Sequence, residues 1–228
     1  MAQTKREKIY KLFQTRSCTK QDVFEETQKV FDEVKSVLEE IATEYSNHVC
    51  HLDERVKIEY SSQNQYRAQI QFGGDILVFQ MHTNIFTFDK DHHIWKTSYV
   101  KEDETRAYCG MINVYNFLAD SFKFNRLNDA GYLVTRLFVN RERHFFAEGK
   151  KELNYLFNNF VEGKLDRETM VNIIESSIFY AIKFELQSPP FANMERISVS
   201  QMHQLSQNNN LGTDKQLGFK LQGDLDLE

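Results

Sequence analysis

The sequence predicts an α+β domain: a long N-terminal helix, an antiparallel β-meander of about seven strands, and C-terminal helices packed on one face of the sheet. Three observations carry this. Residues 19–49 repeat apolar side chains at helical spacing, residues 55–100 alternate apolar and polar side chains, and no proline occurs before Pro189. Of 228 residues, 41% are hydrophobic and 27% charged, with 19 Phe available to fill a core. That balance belongs to a folded chain rather than a disordered one. With no internal repeat or linker, residues 1–190 read as one domain and residues 191–228 as a polar, partly ordered tail.

Residues 5–13, KREKIYKLF, spell a short amphipathic helix with Ile9, Leu12 and Phe13 on one side, expected to dock on the body. The main helix opens at Thr19, with Asp22 three residues later in the manner of a capping box. Phe24, Phe31, Leu38 and Tyr45 recur every seven residues, as do Thr27, Val34 and Ile41, and Val23, Val30 and Val37. A stripe three rows wide suits packing on a sheet or bundle better than a two-row coiled-coil seam. At ~1.5 Å per residue the helix runs roughly 45 Å, longer than a small sheet is wide. One end is therefore expected to overhang and pair with a second copy, with Phe24, Phe31, Leu38 and Tyr45 as the interface of a homodimer.

Period-two alternation places strands near 55–61, 65–72, 75–82, 84–88 and 93–100, joined by short polar links that force antiparallel neighbours. Gly73-Gly74 supplies the positive φ that a tight hairpin needs. The apolar run 107–118 reads as strand to about 116, because the β-rich 132–139, YLVTRLFV, seeks a partner; a shorter strand covers 144–148. Helices follow over 150–161 and after Asp166, where Met170, Ile173, Ile174, Ile178, Ala181 and Ile182 share a face and Pro189-Pro190 ends the run. A late strand covers 217–221.

Net charge is −5, so the chain as a whole gives no reason to bind nucleic acid. Its distribution is uneven: residues 1–16 carry net +4, residues 17–54 net −7 and residues 106–151 net +4. Three widely spaced cysteines, Cys18, Cys50 and Cys109, make no disulfide framework and fit reduced thiols in a cytoplasmic protein. No signal peptide and no span of about 18 apolar residues is visible.

His48, Cys50 and His51 carry metal-ligand chemistry but at no usual zinc spacing, and read as a helix end. Asp89, Asp91, His92 and His93 read as turn chemistry. No metal and no cofactor is expected. The strongest binding candidate is segment 120–151, where Lys123, Arg126, Arg136, Arg141, Arg143 and Lys150 interleave with Phe122, Phe124, Phe145 and Phe146. Cations attract phosphate and aromatic rings stack on bases, so the segment suits a nucleotide or other phosphate-bearing partner; the opposing reading is salt bridging to the acidic helix. Nucleophile-elbow, phosphate-loop and metalloprotease motifs are absent, leaving Asp120, Arg126 and Asp129 as the only enzyme-like actors. The expected function is a non-enzymatic protein-interaction module, an adaptor or assembly component that self-associates through the long helix. The alternative is a ligand-sensing domain built on segment 120–151.

Overall fold

The computed structural model describes residues 4–149, 159–184 and isolated positions from 188 to 202. Helix α1 (Lys5–Leu12) starts at a reciprocal cap: the Glu7 amide donates to Thr4 Oγ1, and the Thr4 amide donates to the Glu7 carboxylate at 2.8 Å. The chain then passes through a wide-turn π segment, Phe13–Cys18, straight into α2 (Thr19–Val49). No residue of α1 or the π segment is buried, whereas α2 buries ten. The expected docking of residues 5–13 is therefore corrected. The wide turn takes up an extra residue, and one residue is roughly 100° of helix phase. The stripe that α2 presents to the sheet is rotated away in α1.

Six strands form one antiparallel sheet in sequential order: β1 (Ile58–Asn64), β2 (Arg67–Phe72), β3 (Asp75–Met81), β4 (Gly110–Leu118), β5 (Tyr132–Val139) and β6 (Phe145–Gly149). Gly73 takes φ 58° at the first position of the two-residue β2–β3 turn, where a side chain would be strained. The sheet has six strands rather than about seven, and the expected strands at 84–88 and 93–100 do not form. Phe86 makes only an isolated bridge to Cys109. His92 then caps a 3-10 turn over His93–Lys96, and Thr97 caps α3 (Ser98–Glu102) with its hydroxyl on the Val100 amide. Side chains that capture nearby amides in this way pull the backbone out of a ladder.

One face of the sheet is covered by α2 and by α5 (Arg167–Ile182), which begins at Asp166 as expected. Alternate residues Ala68, Ile70, Leu77, Phe79, Ile112 and Val114 point into this core against Val30, Phe31, Val34, Leu38, Ile173 and Ile174. The approach of α2 to β4 is close: a Cβ on Gly110 would lie 2.0 Å from Thr27 Oγ1. The other face carries a smaller core, where Ile94, Val100, Ala107 and Cys109 from the 82–109 crossover cover Phe138 and Phe146. The short helix α4 (Ala119–Lys123) leads into the turn before β5. Helix α5 ends at Ile182, before Pro189. Most of the expected 150–161 helix, the Pro189-Pro190 stop and the expected 217–221 strand lie outside the described residues. Among the described residues no helix is long and apolar enough to cross a membrane.

Candidate functional site

A cleft of about 620 Å³ opens between the helical extension 5–18 and the 82–109 crossover. Continuity with α2 spares the extension the cost of nucleating a helix, so it projects along the crossover without packing on it. Its cleft side carries Lys8, Lys11, Leu12, Thr15 and Arg16. The opposing wall presents half-buried Phe88, Trp95 and Tyr108, with Lys90 and Glu104 at the rim. Trp95 is oriented by its indole N–H donating to the Phe88 carbonyl at 3.1 Å, and Lys90 Nζ lies 3.8 Å from its ring centroid. Lys8, Lys11, Arg16 and Lys90 make no ion pair among the described residues. Half-buried Trp and Tyr rings next to cations that make no ion pair among the described residues suit an anionic, apolar-bearing partner. The opposite side of the extension exposes Ile9, Tyr10 and Phe13 at 43%, 60% and 57%.

Segment 120–151 is dispersed across the fold instead of converging. Arg143 is held by Glu26 and Glu33 of α2, both at 2.6 Å, and Arg141 by Asp103 at 2.8 Å. Arg136 pairs with Glu148, its cross-strand neighbour, at 2.5 Å. Arg126 pairs with Asp129 at 2.8 Å, with both side chains almost wholly buried. Lys123 lies over the Phe124 ring, and Lys150 lies outside the described residues. Phe145 and Phe146 fill the two cores. The four arginines named here are thus engaged with carboxylates of the same chain. Asp129 and Glu148 come from the same segment, whereas Glu26, Glu33 and Asp103 come from elements distant in sequence.

The four expected interface residues divide in the same way. Phe31 and Leu38 are fully buried against the sheet and offer no surface to a second copy, while Phe24 and Tyr45 are half-buried beside the core. The Tyr45 hydroxyl donates to Glu175 of α5 at 2.7 Å; burial and that carboxylate push its pKa to about 12. The exposed large apolar side chains of the long helix lie instead upstream, in residues 5–18. The signals for it were present in the sequence: net +4 in the first 16 residues and an apolar set beside them.

The crossover is pinned to the β5–β6 loop by a polar network. Asn140 donates to the Tyr99 hydroxyl and the Arg106 carbonyl and accepts from the Glu142 and His144 amides. Tyr99 donates to Glu142, which also pairs with Arg106 at 3.3 Å. Burial raises the pKa of Glu142 and Glu26, but hydrogen bonds from Tyr99 and Arg106, and from Arg143 and Lys29, outweigh it and hold both below their ordinary 4.5. The Thr105 hydroxyl, helped by Arg141, holds Asp103 below 3.8. Depressed carboxylates stabilise the fold above their ordinary values, and that contribution is lost as pH falls through the lower folded values. Burial, followed by the neighbouring His93, depresses His92 below 6.5, so its protonation also opposes folding. Thermal unfolding followed by circular dichroism is therefore expected to show a Tm that begins to fall below about pH 6.5 and drops steeply below about pH 4.5.

At the end of α2, Cys50 Sγ lies 3.2 Å from the Asn47 carbonyl, and His92 stacks on Phe88. Among the described residues no group of three or more His, Cys, Asp or Glu is placed to hold a metal ion. Comparison of the chain with protein-family models, with curated proteins and with solved structures finds no match.

Proposed function

We propose that this chain is a non-enzymatic protein-interaction module that self-associates through the first turns of its long helix. The observation that carries this reading is the apolar ridge Ile9, Tyr10 and Phe13, held on a rigid extension and uncovered by the described chain. A second copy suits it by charge. The extension is net +4, and the outward side of α2 exposes Asp22, Glu25, Asp32, Glu39 and Glu40. Antiparallel crossing about Phe13 lays ridge on ridge and runs Lys5 and Arg6 of each copy beside the Asp22 turn of the other. Each large apolar side chain removed from water contributes about 1.5–3 kcal/mol, and the flanking charges set direction more than strength. The uncommitted thiols Cys18, Cys50 and Cys109 suit a reducing cytoplasm.

A second reading rests on the cleft. Its uncommitted cations beside Trp95 and Tyr108 suit an acidic segment of a different protein. The two readings separate cleanly. Ile9→Glu combined with Phe13→Glu is expected to leave unfolding unchanged, because both sites are exposed, and to weaken self-association at least tenfold in sedimentation equilibrium. A chain that stays monomeric yet binds a glutamate-rich peptide, with loss of binding in Lys11→Glu, supports the cleft instead.

A further inference from the structure

We infer that the sheet face left open by the described residues beside α4 is a binding site for a small aromatic carboxylic acid. The cleft there is about 360 Å³, within the size range of small-molecule sites. Its floor is Val78, and Tyr115, Phe117 and Phe122 supply its rings. Phe117 and Phe122 meet edge to face at 5.3 Å, a favourable aromatic geometry that makes one apolar wall.

Charge selects the acid. Arg67, on β2, stands over the Phe122 ring at 5.5 Å, and its Nε is buried without a hydrogen-bond partner. Its guanidinium otherwise makes only a long 3.5 Å approach to Gln69 among the described residues. A buried guanidinium N–H without an acceptor costs free energy that a carboxylate placed on its fork recovers. The other charges of the site balance each other: Asp129 forms an ion pair with Arg126 at 2.8 Å and accepts from the Ser121 hydroxyl at 2.6 Å. Arg67 therefore leaves the cleft at net +1, matched to a monoanion. Asn125 takes φ 50°, a conformation Asn tolerates, which folds Arg126 back so that its amide donates to the Ser121 carbonyl and closes this wall of the cleft. Leu127, 84% exposed, stands at the mouth as an apolar rim.

The test is isothermal titration of the full chain with indole-3-acetate and phenylacetate, against the neutral indole-3-ethanol and 2-phenylethanol. The acids are expected to bind at least tenfold tighter than their alcohols. Arg67→Gln is expected to abolish that difference, Arg67→Lys to restore part of it, and Gln80→Trp, which fills the cleft from a partly exposed position, to block both series. Equal affinity of acid and alcohol, full binding by Arg67→Gln, or no binding by either acid at millimolar concentration overturns the inference. If Arg67→Gln fails to fold, undiminished binding by Gln80→Trp overturns it alone.

Discussion

Phe31→Ala is expected to cost about 3–5 kcal/mol of folding stability, the range for truncating a buried Phe to Ala in a core that only partly collapses. Phe31 is wholly buried, lies among the largest enclosed side chains, and packs where α2 crosses the sheet. Lys35 Nζ covers its ring at 5.1 Å, so the cavity would open beneath a charged side chain that cannot fill it. Urea unfolding should show a lower midpoint with an unchanged slope. A loss that depended on protein concentration would instead mark Phe31 as a contact between copies and contradict its place in the core.

Asn140→Ala is expected to cost about 2–4 kcal/mol and to act at a distance from the mutation. Asn140 is fully buried and satisfies a hydroxyl, a carbonyl and two amides at once. Removing its side chain leaves several buried polar groups without partners, and each such group costs about 1–3 kcal/mol before relaxation. Because those groups belong to the crossover and to the β5–β6 loop, amide exchange should accelerate over residues 93–107 ahead of β2 and β3. Uniform acceleration across the sheet would show that the network stabilises the whole fold rather than the crossover.

The helix over 19–49, the hairpin at Gly73-Gly74, the β4–β5 pairing and the α5 cap at Asp166 were legible because each is written in local periodicity or turn chemistry. The crossover was not. Trp95, Thr97 and Tyr99 alternate with their neighbours as a strand does, but His92 and Thr97 capture amides two or three residues on. A period of two cannot report that competition. The wide turn at 13–18 escaped for a related reason: it lies between the apolar patterns of 5–13 and 19–49, and the phase shift between them appears only in coordinates. Salt bridging of 120–151 to the acidic helix was legible in the charge balance, and Arg143 does pair with Glu26 and Glu33 of α2, more than a hundred residues away. Charge balance does not say which arginine meets which carboxylate, nor that Arg136 and Arg126 pair within their own segment. What the sequence did offer about the exposed extension was its composition, basic and apolar together, without its freedom from the body.

The most direct measurement is sedimentation equilibrium of the intact chain from micromolar to several hundred micromolar at moderate salt. Self-association through the extension predicts a mass rising toward twice the 27.0 kDa of one chain, and a fall back to one chain in Ile9→Glu with Phe13→Glu. A single-chain mass at every concentration, or a dimer that the double variant leaves intact, would contradict it.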